Sequence, residues 1–137
     1  MAKNIKQIHP NSLILYKVGN FYQAYGKDAY IISYIFDYKI NKVGSNVAVS
    51  GFPKNAISKI IANLERKSVN FMILDTKNNY KVDEQEDYKD LNTYTEIYEN
   101  AHKIVALKLR VQKICETLVK EKNIEKIRKI EEIIYEN

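Results

Sequence analysis

A short apolar run, Leu13-Ile14-Leu15-Tyr16-Lys17-Val18, lies between Pro10-Asn11-Ser12 and Gly19. Its length and turn-forming flanks read as a β-strand, and a strand obliges the rest of the chain to supply partners for its backbone N–H and C=O groups. A second run, Val69 to Leu74, is apolar except for Asn70 and reads as a central strand of the same sheet. Shorter segments fill in around these two. Lys39 to Val43 and Asn46 to Ser50 read as a hairpin around Gly44-Ser45, with Gly51-Phe52-Pro53 breaking the second strand. Tyr80 to Val82 reads as a short edge strand after the Lys77-Asn78-Asn79 turn, and Asp83 to Asp90 as a solvated acidic loop.

Helical periods alternate with these strands. Phe21, Tyr25, Ala29, Ile32 and Phe36 share one stripe, which predicts a helix from Phe21 to Asp37 with Asn20 as its N-cap. Asn55 caps a second helix whose apolar face is Ala56, Ile57, Ile60, Ile61 and Leu64, leaving Lys54, Lys59, Arg66 and Lys67 in water. Thr95 to Val119 is a long helical pattern with Ile97, Ala101, Ile104, Leu107 or Lys108, Val111, Ile114 and Leu118 along its seam. Lys122-Asn123 interrupts it, and Ile124, Ile127, Ile130 and Ile134 form the stripe of a last short helix. The last two helices either form a hairpin packed on the sheet or offer an interface to a second copy, and either arrangement hides the stripe.

The fold class that follows is α+β or mixed α/β: a mixed sheet of four to five strands flanked by helices, with a C-terminal helical hairpin. A chain of 137 residues is large enough for one hydrophobic core and too small for two independent ones. We divide it into a sheet domain over residues 1–92 and a helical extension over residues 93–137, packed on the sheet or used for association. No stretch approaches the roughly 18 apolar residues of a membrane span, and Met1 to Ile5 leads into no apolar signal core. The expectation is a soluble, cytoplasmic protein with no membrane partner.

Enzymatic chemistry has little to work with. His9 and His102 are separated by most of the chain, and neither stands at metal-ligand spacing from cysteine or carboxylates. There is no Walker loop, dinucleotide-type glycine run or serine elbow, and four glycines, at 19, 26, 44 and 51, offer little for cradling phosphate. Cys115, alone in an amphipathic helix, reads as a small buried hydrophobe. The acidic cluster Asp83, Glu84, Glu86, Asp87 and Asp90 lacks the ordered donors and turn glycine of a calcium loop and reads as solvation. The expectation is a non-enzyme without cofactor or bound metal.

The net charge of +5 is unevenly spread, at +7 over residues 1–67, −5 over 68–100 and +3 over 101–137. A basic N-terminal half suits phosphates, with Lys17, Lys27, Lys39 and Lys42 as its candidate contacts near Phe21. Phe21 itself has two readings. Its place on the helical stripe with Tyr25 buries it, whereas its place directly after a strand and a Gly-Asn turn presents it outward. An outward aromatic ring stacks on an unstacked base, an amide such as Gln23 donates to or accepts from a base edge, and helix N-terminal N–H groups favour phosphate.

The segment from His9 to Ala29, HPNSLILYKVGNFYQAYGKDA, resembles the N-terminal mismatch-recognition domain of the MutS family of DNA mismatch repair proteins. That family has the same order of apolar strand, Gly-Asp-Phe-Tyr-Glu and a following Asp-Ala. The likeness continues in Val47-Ala48-Val49-Ser50-Gly51-Phe52-Pro53, which is similar to the family's Pro-Met-Ala-Gly-Val-Pro, and through the helix and strand that end at Leu74. It covers roughly residues 8–76 and does not extend to the acidic stretch or the C-terminal helices; Asp75-Thr76 departs from the family's Glu-Gln. The resemblance implies a fold like that domain and a role in binding double-stranded DNA, mismatched or distorted. It implies Phe21 as the ring that stacks on a mispaired base and Gln23 as the base-edge contact, with Asn20 in place of the family's aspartate at the turn. Gln23 stands where the family has glutamate, and an amide donates as well as accepts and carries no charge to repel phosphate. The family's connector, lever, clamp and ATPase are not represented in these residues. The alternative is a protein-interaction or homodimerisation module that keeps the fold without DNA binding and associates through the C-terminal helices.

Overall fold

A computed structural model of the chain describes residues 2–43, 47–88 and 91–136. The Gly44-Ser45 turn, Asn46 and Asp90 lie outside the described residues. Its elements are α1 (Ala2–Ile8), β1 (Leu13–Val18), β2 (Phe21–Tyr25), α2 (Lys27–Phe36), β3 (Ile40–Val43), β4 (Val47–Pro53), α3 (Ile57–Arg66), β5 (Phe71–Asp75), β6 (Lys81–Glu86), α4 (Leu91–Glu121) and α5 (Ile124–Ile134). Among the described residues the strands form one six-stranded sheet in the order β3-β4-β2-β1-β5-β6. Only β1 and β5 run parallel, so the sheet is mixed and β1 and β5 lie inside it.

Both faces of the inner strands are covered, which is why β1 and β5 are apolar at successive positions. One face carries the larger core. Leu13, Leu15, Tyr22, Ala24, Phe52, Phe71 and Ile73 pack against Ile31 and Ile32 of α2, Ile60 and Leu64 of α3, and Tyr94 and Ala101 of α4. On the other face Ile14, Tyr16, Met72 and Leu74 pack with Ile5 of α1 and with Tyr80.

The structure corrects several sequence expectations. Phe21 to Tyr25 is a strand rather than the first turn of a helix, and α2 begins only at Lys27. Tyr22 and Ala24 are buried while Phe21 and Tyr25 are exposed, a period of two, so Asn20 is a hairpin residue and not a helix cap. The sheet has six strands instead of four or five, because β2 is one of them. Nor is β4 broken at Gly51-Phe52-Pro53, since Phe52 is buried against Tyr22 and Tyr38 and proline, which cannot donate, stands at the strand's last position. The acidic stretch forms β6 as far as Glu86, where it pairs with β5 and keeps its side chains in water. α1 has no counterpart in the sequence reading.

The chain divides into two compact units, Met1–Val105 and Ala106–Asn137. Within the first, α4 buries Tyr94, Ala101 and Val105 with Ile97 packed beside them, so that Ile97 and Ala101 of the expected seam face the core while Ile104 is exposed. Within the second, Ile114 and Leu118 of α4 and Ile130 of α5 line a shared groove, and Asn123 caps α5 by accepting from the Lys126 N–H at 3.1 Å. The stripe is not hidden: Ile104, Leu107, Val111, Ile114 and Val119 are exposed, and so is Cys115. Cys115 is thus not the buried hydrophobe that a lone cysteine in an amphipathic helix suggests, because this part of α4 buries no apolar face around it. Among the described residues no helix is long and apolar enough to cross a membrane.

Asp28, in the first turn of α2, is buried and meets groups from three other elements. It receives hydrogen bonds from Lys6 Nζ at 2.8 Å, from the Tyr94 hydroxyl and from the Ile14 N–H at 3.2 Å. Lys6 Nζ also donates to the Ser12 carbonyl at 2.7 Å and lies 4.5 Å from the centre of the Tyr94 ring. Burial pushes the Asp28 carboxyl up and the Lys6 ammonium down, while the Lys6 charge and the three donors hold the carboxyl back. A carboxyl raised above its unfolded pKa adds stability that is fully present below the unfolded value and is lost as pH rises through the folded one. Lys6→Met removes the main restraint on that rise. The variant's loss of stability is expected to be small at about pH 4 and to reach about 3 kcal/mol by about pH 7.5. Urea unfolding at both pH values measures it; a penalty independent of pH would contradict this role for Lys6.

Candidate nucleic-acid interface

β1 and β2 are joined by the two-residue loop Gly19-Asn20, closed by the pair Val18 and Phe21. Gly19 has φ +61°, the left-handed value that primed hairpin turns need at their first central position so that their twist matches the strands. The loop is tied to the start of the next helical segment, because the Lys54 N–H donates to the Asn20 carbonyl at 2.8 Å. Phe21 stands beside this loop with 56% of its surface exposed, paired across β4 with Pro53.

Period two then decides what shares its face. Gln23 and Tyr25 lie on the same side of β2 as Phe21, whereas Tyr22 and Ala24 point into the main core. Gln23 is half-buried between Tyr16 of β1 and Gly51 of β4. A side chain at Gly51 would come within 3.1 Å of the Tyr22 carbonyl and 3.6 Å of Gln23 Cγ, so glycine leaves the room that Gln23 occupies. The Tyr25 hydroxyl donates to Gln23 Oε1 at 2.6 Å. Burial raises the Tyr25 pKa and pushes that of Tyr16 up to about 12, further above neutral pH than a free phenol.

The lysines do not gather around Phe21 as the sequence reading placed them. Lys17 pairs with Tyr22 and Asp75, so it projects from the opposite face of the sheet. Lys42 is exposed on β3 opposite Ala48, again on the side where Ala48 and Tyr22 are buried, and two strands from β2. Lys39 is exposed just before β3, and its carbonyl accepts from Ser50 Oγ at 3.0 Å. The lysine beside Phe21 is Lys54, which lines one cleft with Asn20, Phe21, Pro53 and Asn55. Sequence reasoning assigned Lys54 only to the wet side of a helix, and the missing signal was the pairing of β2 with β4. Nor does Phe21 have helix N-terminal N–H groups beside it, since α2 starts at Lys27.

Lys39, Lys42 and Lys54 border the β3–β4 side of the sheet, and Asp83, Glu84 and Glu86 lie on β6 at its other edge. The charge bias along the chain thus becomes a gradient across the sheet. Among the described residues, no group of three or more His, Cys, Asp or Glu side chains is arranged to hold a metal ion.

Residues 2–130 match the family described as MutS domain I. The match extends past residues 8–76 in both directions, taking in α1 and α4, which the resemblance in the sequence did not reach. Among curated proteins the chain is 34% identical over 76 residues to the DNA mismatch repair protein MutS of Parabacteroides distasonis, covering 53% of this chain and 9% of that protein. It is 31% identical over 75 residues to MutS of Porphyromonas gingivalis, covering 52% of this chain and 8% of that protein. MutS of Chlorobium chlorochromatii is 30% identical over 71 residues, with 52% and 8% covered. The chain therefore spans less than a tenth of the length of these relatives.

A methyl group at Gly19 meets no atom within 4 Å, so Gly19→Ala is expected to cost only the left-handed conformation, about 1 kcal/mol. Urea unfolding checks this, and an unchanged stability would contradict the turn geometry.

Proposed function

This chain belongs to the MutS domain I family, and from that premise we propose that it is a non-enzymatic DNA-binding module for mismatched or distorted duplex, with Phe21 as its wedge. The observation that carries the reading is the exposure of Phe21 at the β1–β2 tip, with Gln23 two residues behind it on the same face. A ring held there by a closed hairpin enters a base step with little further ordering, and a base–aromatic stack contributes about 1–3 kcal/mol. Gln23, with Oε1 engaged by Tyr25, offers its Nε2 hydrogens to the acceptors that line the minor groove. Asn20 keeps the tip in place through its carbonyl. Lys54 and Lys39 give phosphates a favourable side, with Lys42 on the far face of that edge adding only to the field, and the acids of β6 orient the duplex away from the opposite edge. Lys17, on the far face, contributes through the long-range field rather than by contact with the same strand of DNA.

The exposed stripe of Leu107, Val111 and Ile114 supports a second reading, association with another copy through the C-terminal helices. Association also favours DNA binding, because two linked modules engage one duplex at high effective concentration. Without DNA contact it is the interaction-module alternative.

Titration of fluorescent mismatched and matched duplexes at two salt concentrations tests the proposal. Phe21→Ala is expected to weaken mismatch binding by about tenfold, and Lys54→Ala to weaken both duplexes and lower the salt slope by about one. Absence of salt-dependent binding to any duplex would overturn the DNA reading. Undiminished mismatch preference in Phe21→Ala would overturn the wedge alone.

A further inference from the structure

Behind Phe21, on the same face of the sheet, lies a cleft that wedging alone does not use. It measures about 470 Å³ and is lined by Tyr16, Tyr25 and Tyr80 with Gln23, Thr76, Val18 and Val47. That volume falls within the range of about 300–1,000 Å³ typical of small-molecule sites. The Tyr16 ring is buried, and two rings stand steeply against it: Tyr25 with centroids 5.5 Å apart at 65°, and Tyr80 at 6.1 Å and 80°. A planar group entering the cleft meets aromatic surface from Tyr25 and Tyr80, with the Tyr16 ring packed edge-to-face against both.

Two details mark it as built for a ligand of one kind. Tyr80, the residue just before β6, has φ +59° directly after Asn79 at +55°, a left-handed conformation that is costly for a bulky residue, and its ring packs on Tyr16. Gln23 supplies the polar group with hydrogens to offer, since the Thr76 hydroxyl already donates to the Lys17 carbonyl at 2.6 Å. With Oε1 receiving the Tyr25 hydroxyl, among the described residues nothing accepts from its Nε2, which is left for an acceptor such as a purine ring nitrogen. Aromatic surface with an amide donor beside it is the complement of a nucleobase.

Resting on the DNA-binding reading, we propose that this cleft receives a single extrahelical purine from the duplex that Phe21 opens. Phe21 and Gln23 are two residues apart on β2, about 6.6 Å along the strand. A base displaced at the wedge reaches the cleft while its own phosphate stays near the tip, on the Lys54 side. Phe21 opens the stack, and Tyr25, Tyr80 and Gln23 hold what leaves it.

The experiment compares two duplexes that differ in one group, one with a single bulged adenine and one with an abasic bulge at the same place. The full chain is expected to bind the adenine bulge about tenfold more tightly. Tyr80→Leu, which keeps apolar bulk against the Ile14, Tyr16, Met72 and Leu74 cluster, is expected to abolish that ratio without weakening abasic binding, and Tyr80→Phe to preserve it. Phe21→Ala is expected to weaken both duplexes and leave the ratio. Equal binding of both duplexes by the wild-type chain, or a ratio unchanged in Tyr80→Leu, would overturn the cleft assignment and leave DNA binding standing. Failure to bind either duplex would overturn both.

Discussion

Asp28 is the point on which the geometry of the first unit depends. Its carboxyl is buried, and a buried carboxylate without donors is too costly to keep. Its donors come from α1, β1 and α4, so these elements and α2 are positioned relative to one another by a single group. The Lys6 bond to the Ser12 carbonyl extends the tie to the start of β1. Because Asp28 follows Tyr25 by three residues, fixing it also fixes where β2 ends and α2 begins. Which of Phe21, Tyr22 and Gln23 face outward is settled partly at a carboxylate none of them touches.

A sheet covered on both faces would leave no binding surface if the coverage were complete. It is complete only around β1 and β5, where the helices on one side and α1 with Tyr80 on the other meet apolar residues. Toward the hairpin tip the second face opens, and Val18, Phe21, Tyr25 and Val47 remain exposed around Gln23. The candidate site is thus the unburied margin of the minor core: aromatic, carried on paired strands, and bordered by lysines on one flank and acids on the other. Rigid placement of an aromatic side chain lowers the entropy that binding must overcome.

The sequence located most elements but misassigned the one that matters most for function. Phe21 and Tyr25 are four apart, a spacing that places two side chains on one face of a helix and equally on one face of a strand. Their pattern therefore did not distinguish the two, and the helical residues that follow drew the helix back over β2. Tyr22 and Ala24 carried the distinguishing signal, but its weight depends on knowing that both meet a core. The seam of α4 was misread in part for a related reason, since many apolar residues spread around a long helix fit more than one stripe, and only packing selects Tyr94, Ala101 and Val105.

By itself the sequence determined that a mixed sheet would form, that residues 8–76 resemble a mismatch-recognition domain, and that Phe21 and Gln23 are the residues to watch. These follow from local composition and from motif order, which survive without knowledge of partners. The tertiary structure alone decided that Phe21 projects from a hairpin, that Lys54 and not Lys17 stands beside it, and that three tyrosines from β1, β2 and the β5–β6 turn meet around Gln23. Those outcomes depend on strand order and register, and register is set by contacts between residues far apart in the chain, where a shift of one position sends every side chain to the other face.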